Sequence, residues 1–312
     1  MTAESIHGGG RPLFLRTTDG LRLRYGYWPA YRPTRAATVL LLGGRTEFLE
    51  KYGEVIGELT VRGYDVYGFD WRGQGLSDRL LADPRKCFVS SYDQYVMDLD
   101  FILHNLVYPR SRGPVVMLAH SMGAHVLLRY LDRDHHGIAC AVLTAPMIDI
   151  RTHPLPPAWV RWLSRRMVQA GRESWNVPAA DRHNPFAASF SRNRLTSDSV
   201  RFQRTRRFVA RNPGLSSADV TFGWLAATFA SIDKINAPSF GARIKVPVLM
   251  VLSGCDRVVY NPAARRLALQ LPEVSIGLIA GARHEILQER DAFRKQFWAA
   301  FDGFAAPWKS DG

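Results

Sequence analysis

The feature that most constrains the fold of this chain is a repeated alternation of short apolar runs with amphipathic stretches of helical length. Several runs are apolar throughout, which is typical of parallel strands buried on both faces. We predict eight strands, over residues 13–16, 21–27, 38–42, 65–70, 115–119, 141–145, 248–252 and 275–279. Helical patterns lie between them, over residues 50–62, 92–106, 125–133, 262–270 and 291–301. This alternation predicts an α/β fold with a mostly parallel, doubly wound, eight-stranded sheet.

The first two runs are separated by Thr17-Thr18-Asp19-Gly20, a sequence that favours a hairpin turn. A hairpin joins antiparallel strands, so we expect an antiparallel edge on the sheet.

The alternation stops after the sixth predicted strand. Residues 147–245 contain helical patterns at 158–170, 197–210 and 222–232, but no convincing strand. We therefore predict an α/β core of residues 12–146 and 246–304, with residues 147–245 inserted as a helical cap over the carboxyl edge of the sheet. A chain of 312 residues is long enough for one such domain with an insertion.

The inserted segment carries most of the positive charge. Between Arg151 and Lys245 there are sixteen Lys and Arg against five Asp and Glu, which gives +11 of the formal charge of +13. Arg204, Arg207 and Arg211 fall on one helical face, where few acids are near in sequence. Such a patch is suited to an anionic membrane or a phosphate-bearing substrate. A coding bias toward arginine would produce the same composition without a function.

The sequence offers no sign of membrane insertion or secretion. Its apolar runs are far shorter than the roughly 18 residues that span a bilayer, and the first residues lack the apolar stretch of a signal peptide. Cys87, Cys140 and Cys255 show no metal-like spacing, which fits a reducing compartment. We expect a cytoplasmic protein, with peripheral contact at the inner membrane face left open.

Ser121 has the setting of an activated nucleophile. The sequence Ala119-His120-Ser121-Met122-Gly123 follows an apolar strand and precedes a helical stretch, which is the strand–turn–helix context of a nucleophile elbow. Small residues flank such a serine because the sharp turn brings backbones close together. Ala119 stands where a glycine is usual, and an N-terminal helix cap is the alternative role for the serine.

An acid and a histidine follow later strands in the order of the α/β-hydrolase catalytic triad. Asp256 lies in the turn after strand 248–252, and His284 lies in the loop after strand 275–279. We expect His284 to remove the proton of Ser121 and Asp256 to orient the imidazole. Asp149, which also follows a strand, is the alternative acid.

Two further residues are expected to stabilise the negative charge that develops on the substrate oxygen. The backbone N–H of Met122 directly follows the nucleophile, and the N–H of Arg45 lies in the glycine-containing loop after strand 38–42. The Arg45 side chain has two possible partners, a phosphate head group or an internal acid such as Glu47. Asp70 is expected to fix its own loop through hydrogen bonds or an ion pair with Arg72.

Several motifs together resemble the monoacylglycerol lipase and lysophospholipase L2 family of α/β-hydrolases. They are Gly44-Arg45-Thr46-Glu47, Lys51-Tyr52, Gly63-Tyr64, Asp70-Trp71-Arg72-Gly73-Gln74-Gly75-Leu76-Ser77, His120-Ser121-Met122-Gly123, Thr221-Phe222-Gly223-Trp224 and Gly281 with His284-Glu285. The resemblance covers about residues 12 to 304. It implies a helical cap over an acyl pocket and hydrolysis of single-chain glycerolipid esters, without a metal or an organic cofactor.

These observations favour a serine hydrolase acting on lysophospholipids or monoacylglycerols. The alternatives are a small-ester carboxylesterase or acyltransferase with the same triad, and a non-catalytic basic protein that binds membranes. Nucleic acid is not an expected partner, because the chain has no groove-reading motif and no aromatic platform.

Overall fold

The fold is built around one large sheet, as seen in a computed structural model that describes residues 13–31, 37–133, 136–178, 185–186 and 188–308. Its strands are β1 (Leu13–Arg16), β2 (Arg22–Trp28), β3 (Thr38–Leu42), β4 (Asp65–Phe69), β6 (Val115–His120), β7 (Ile138–Thr144), β9 (Val248–Ser253) and β10 (Val274–Ile279). Two short strands, β5 (Lys86–Cys87) and β8 (Asp219–Val220), form a separate small sheet.

Eight helices accompany the strands in the described part of the chain. They are α1 (Gly53–Val61), α2 (Tyr92–Ile102), α3 (Met122–Leu131), α4 (Pro157–Gln169), α5 (Ser199–Arg211), α6 (Phe222–Ile235), α7 (Asn261–Ala268) and α8 (Asp291–Ala305). One π-helical turn, Leu103–Val107, continues α2. Short 3-10 turns include Leu49–Tyr52 before α1 and Ile286–Gln288 before α8.

The large sheet has the strand order β1-β2-β4-β3-β6-β7-β9-β10. β2 pairs antiparallel with both β1 and β4, and all other pairs are parallel. All eight predicted strands are present, and the predicted α/β fold class with an antiparallel edge is confirmed. Parallel neighbours place the carboxyl ends of β3, β6, β7, β9 and β10 along one edge, where the loops that follow them can meet.

Apolar side chains cover both faces of this sheet, which explains the continuous apolar runs. In β3, Leu40 and Leu42 belong to a core cluster that includes residues of α2 and α3. Val39 and Leu41 point to the opposite side and join a second cluster with residues of α1 and α8. A strand that contributes to two cores cannot show the alternating pattern of a half-exposed strand.

The segment between β7 and β9 holds α4, α5 and α6, close to the three helices predicted there. It also holds β8, so the expectation of no strand in this segment is wrong. β8 has two residues and pairs with β5 of the core, and two residues are too few to show a strand period. Of the predicted boundaries, residue 12 and part of the insertion, residues 179–184 and 187, lie outside the described residues.

Ion pairs join α5 to the core. Arg201 contacts Glu54 and Asp291, and Arg204 Nη2 lies 2.8 Å from Glu54 Oε2. Few acids are near Arg204 in sequence, as noted above, and the acid that compensates its charge is Glu54, which is distant in sequence and close in space. Arg207 and Arg211 of the same helix are exposed.

Candidate active site

Ser121 occupies a strained turn between β6 and α3. Its φ of +51° lies in the left-handed region, which residues other than glycine rarely adopt. The Ser121 N–H donates to the Thr144 carbonyl over 3.0 Å, and its own carbonyl accepts from His125 and Met147. A Cβ on Gly123 would lie 2.6 Å from the Gly43 carbonyl oxygen, so the turn requires glycine there. Both features are those of a nucleophile elbow.

The loops after β9 and β10 bring Asp256 and His284 to this serine. His284 Nε2 lies 2.9 Å from Ser121 Oγ, and His284 Nδ1 lies 2.8 Å from Asp256 Oδ2. The other oxygen of Asp256 accepts the N–H groups of Val258 and Val259 over 2.7 and 2.9 Å. All three side chains are buried. The carboxylate is thus fixed by the backbone and orients the imidazole toward the serine.

The two ionisable members shift each other's pKa in opposite directions. Burial alone would lower the pKa of His284, but the charge and hydrogen bond of Asp256 outweigh it and raise the pKa above its usual value. Burial would raise the pKa of Asp256, and the interactions with His284 and two backbone N–H groups lower it. The pair therefore favours an aspartate that stays ionised and a histidine that accepts a proton readily.

Asp149, the alternative acid, is engaged elsewhere. Its Oδ1 accepts the N–H of Ile150 over 2.9 Å and lies 3.9 Å from Arg161 Nη2. In this geometry the carboxylate that contacts His284 is that of Asp256.

The loop after β3 passes directly beside the nucleophile. A Cβ on Gly44 would lie 3.3 Å from the Cβ of Ser121. The Gly44 N–H donates to the Glu47 carboxylate, and the Thr46 N–H donates to Gln74 Oε1 over 2.5 Å. Among the described residues, the Arg45 N–H between them has no protein acceptor. Met122 is the first residue of α3, and its N–H is one of those that a helix leaves without an intrahelical acceptor.

The side chain of Arg45 does not pair with Glu47, so that expectation is wrong. Its guanidinium donates to the Ala218 carbonyl over 3.3 Å and lies 5.3 Å from the ring centre of Trp224. Glu47 instead binds Lys51, which is 2.6 Å from Glu47 Oε1 and 2.6 Å from Glu285 Oε1.

This buried Glu47–Lys51–Glu285 cluster was not predicted as part of the site. Burial alone would raise the pKa of Glu47, but the Lys51 ammonium outweighs it and lowers the pKa to about 2. Lys51 and Glu285 are 234 positions apart, so their sequence spacing carries no signal of contact. The only signal in the sequence that includes all three residues is the set of motifs that resemble the lipase family.

His120 and His125 are placed as structural histidines rather than as bases. The His120 ring lies 4.9 Å from that of His284, and burial lowers its pKa to about 4. His125 bridges the Met147 carbonyl and the Ser231 hydroxyl, and burial lowers its pKa to about 3. Both are therefore neutral near pH 7.

Asp70 fixes its loop as expected, but through a different ion pair. Its carboxylate accepts the N–H groups of Leu49 and Leu76 over 3.0 and 2.8 Å and pairs with Arg24 over 2.6 Å. The hydrogen bonds that were expected to fix this loop are therefore present, and the alternative, a pair with Arg72, does not form, since Arg72 binds Asp98 over 2.5 Å.

A small cavity adjoins the site beneath α5. It is lined by Thr46, Lys51, Pro185, Phe186, Leu195, Thr196, Arg201, Phe202, Thr205, Arg206, Glu285 and Gln288. Two of these residues neighbour site residues in sequence, Thr46 next to Arg45 and Glu285 next to His284. Within the described ranges, no group of three or more His, Cys, Asp or Glu is arranged to hold a metal ion.

The family model described as serine aminopeptidase, S33 matches residues 33–291. The chain belongs to this family. The S33 chain is also 32% identical over 285 residues to lysophospholipase L2 of Escherichia coli strain K12, covering 88% of this chain and 82% of the relative. It is 28% identical over 267 residues to a probable lysophospholipase L2 of Haemophilus influenzae, covering 85% and 82%.

Solved structures share the fold of this S33 protein. A soluble variant of monoglyceride lipase from Saccharomyces cerevisiae aligns with a TM-score of 0.77 at 19% identity, covering 96% of both chains. A monoacylglycerol lipase from Paleococcus ferrophilus aligns with a TM-score of 0.70 at 22% identity, covering 91% and 98%. The S33 family membership and the sequence relatives identify the chain as a carboxylic-ester hydrolase, and the alternative of a non-catalytic binding protein does not hold.

Proposed function

We propose that this chain hydrolyses the ester of a single-chain lipid, a lysophospholipid or a monoacylglycerol, through an acyl-enzyme on Ser121. The observation that carries the proposal is the continuous contact from Ser121 through His284 to Asp256. The relatives named lysophospholipase and monoglyceride lipase support the lipid substrate class.

In the first half of the reaction, Ser121 Oγ attacks the ester carbonyl carbon while His284 Nε2 takes the hydroxyl proton. Asp256 accepts the Nδ1–H of His284 and stabilises the imidazolium that forms. The N–H groups of Arg45 and Met122 donate to the tetrahedral oxyanion. Collapse of this intermediate breaks the ester bond, and the imidazolium gives its proton to the departing alcohol.

In the second half, water attacks the acyl-enzyme while His284 takes one of its protons. The same two N–H groups stabilise the second oxyanion, and the proton returns to Ser121 as the fatty acid leaves.

Two experiments test this proposal: labelling with a serine-reactive probe, and hydrolysis of substrates that differ in the length of the acyl chain. A fluorophosphonate probe should label the protein at Ser121, and Ser121→Ala should remove the label. Hydrolysis rates should be highest on lysophospholipids or monoacylglycerols with long acyl chains. A steep fall for acyl chains longer than about four carbons would favour the alternative, a small-ester carboxylesterase or acyltransferase. An unlabelled Ser121 in folded protein would contradict the mechanism.

We also propose that residues 147–245 form a cap that meets an anionic membrane. On α4, Trp159 and Trp162 expose 47% and 54% of their surface, and the exposed Arg166 shares their face by helical spacing. Indole rings with arginine on one face suit the boundary between lipid and water. No described helix has the length and apolar character needed to cross a bilayer. The proposed location is the cytoplasm, with peripheral contact at the inner membrane face.

A further inference from the structure

The loop that carries Arg45 holds an unfavourable backbone conformation. Thr46 has a φ of +59°, and a β-branched residue in this left-handed region is strained. Such a conformation persists only when its surroundings hold it in place. The group that holds the Thr46 N–H is the side-chain amide of Gln74.

Gln74 also contacts the residue that supplies the second N–H. Its side chain is fully buried, and Nε2 lies 3.8 Å from the sulfur of Met122. The Thr46 N–H is a donor, so the amide atom facing it must be the oxygen. The amide nitrogen then faces Met122, whose thioether is a weak acceptor. One side chain thus contacts both Thr46, next to Arg45, and Met122.

The backbone of Gln74 is itself firmly held. Its N–H donates to the Trp71 carbonyl over 3.0 Å, and its carbonyl accepts the Ser77 N–H over 3.1 Å. The Trp71 indole N–H donates to the Gly43 carbonyl over 2.8 Å, which ties the same two loops together a second time. The buried Arg24–Asp70 ion pair anchors the start of this loop.

These contacts leave the Arg45 N–H fixed in direction. Its two neighbours, Gly44 and Thr46, have their N–H groups bound by Glu47 and Gln74. With both adjacent N–H groups committed, the peptide plane of Arg45 has little freedom to rotate.

We propose that Gln74 is a positioning residue that sets the geometry of the oxyanion hole, by holding the Arg45 peptide through Thr46 and packing against Met122. This proposal rests on the proposed function. Gln74 acts on the reaction only through these two residues. Its loss should weaken stabilisation of the transition state and leave binding of the ester substrate nearly unchanged.

The experiment compares Gln74→Met, which keeps the volume but removes the acceptor, with the wild-type protein on a soluble short-chain ester. We expect kcat to fall on the order of 10²-fold, the loss typical of one oxyanion-hole donor, with KM within about twofold. A trifluoromethyl ketone, which forms a tetrahedral adduct with the serine, should bind more weakly by a similar factor.

Two controls separate this role from general damage. Leu59→Ala removes a buried side chain of α1 and should lower the melting temperature without lowering kcat. If Gln74→Met does not fold, Gln74→Asn serves instead. Its shorter side chain keeps a buried amide but withdraws the acceptor from the Thr46 N–H, so kcat should again fall with KM nearly unchanged.

The outcomes distinguish this inference from the proposed function. Ser121→Ala is measured in the same assay, and full activity in that variant would overturn both. An inactive Ser121→Ala with normal kcat in the Gln74 variant overturns the positioning role alone. A fall in kcat without weaker binding of the ketone would also overturn it, because the ketone adduct carries the same oxyanion.

Discussion

The catalytic edge of the sheet and the inserted segment differ in how their polar side chains are held. Around Ser121, side chains are buried and fixed by the backbone of neighbouring loops, as Asp256 is by two N–H groups. On α4 and α5, large apolar and cationic side chains such as Trp162 and Arg207 are exposed. The first arrangement suits a reaction that needs fixed geometry, and the second suits contact with a variable surface.

The arginines and lysines show the same difference. In the core, Arg24, Lys51 and Arg72 are buried and each is bound by two carboxylates. In the segment, Arg201 and Arg204 are tied to core acids, while Arg207 and Arg211 are exposed. Core substitutions should therefore affect chemistry or folding, and substitutions at the exposed cations should affect association.

The largest expected effect is that of Ser121→Ala, which removes the proposed nucleophile. Esterase activity should fall by roughly 10⁴-fold or more with folding intact. The matched control in the other region is Ser164→Ala, a buried serine of α4, which should keep kcat within about twofold. Wild-type turnover by Ser121→Ala, measured on a chromogenic ester, would refute the catalytic assignment.

The next prediction compares the effects on kcat of substituting two acids, Asp256 and Asp149. Asp256→Asn should lower kcat on the order of 10³-fold or more, because the amide no longer supports the correct imidazole tautomer. Asp149→Asn, at the boundary of the inserted segment, should have a much smaller effect, since Asp149 contacts Ile150 and Arg161. A larger loss at Asp149 would transfer the acid role there.

The pH profile should report the electrostatics of the same pair. The proposed reaction needs neutral His284, and the pKa of this residue is raised above the ordinary 6.5. Activity should therefore be lost on acidification at a higher pH than for an unperturbed histidine. Asp256→Asn removes the charge that raises this pKa, and the acidic limb of kcat/KM should move to lower pH in its residual activity. An acidic limb that does not move would contradict the assigned coupling.

Substitution of a residue that lines the cavity should have a moderate effect on substrate binding. Arg206 lines the cavity beneath α5 and lies over the Phe202 ring, with 5.8 Å from its guanidinium carbon to the ring centre. If the cavity holds a phosphate head group, Arg206→Gln should raise KM for lysophospholipids by roughly tenfold, the effect of losing one charged hydrogen bond. KM for monoacylglycerols should stay the same. Equal changes on both substrates would exclude a head-group role.

The smallest effects should come from the exposed face of the segment. Arg207→Gln should reduce the preference for anionic over neutral vesicles by on the order of fivefold, and Arg211→Gln should have an effect of the same size. The rate on a soluble short-chain ester should not change. Trp159→Ser with Trp162→Ser should weaken binding to both vesicle types. Equal wild-type rates on anionic and neutral vesicles would indicate that the positive charge of this segment reflects amino-acid composition and has no role in membrane binding.

The sequence was most informative where a local pattern determines the structure. Apolar runs located all eight strands of the sheet, and the strand–turn–helix pattern placed Ser121 between β6 and α3. Contacts between distant positions left no such pattern. The Glu54–Arg204 pair, the Lys51–Glu285 contact and the role of Arg24 beside Asp70 depend on the assembled sheet. The two-residue strand β8 was too short to show a period.

The contact of Lys51 with Glu47 and Glu285 has a consequence for the order in which the protein becomes active during synthesis. Glu47 and Lys51 leave the ribosome before His284 and Glu285, and Lys51 precedes Glu285 by 234 positions. Until those residues arrive, Lys51 lacks its second carboxylate and Ser121 lacks its proposed base. The nascent chain can thus assemble most of its sheet while it remains unable to attack esters in the cell.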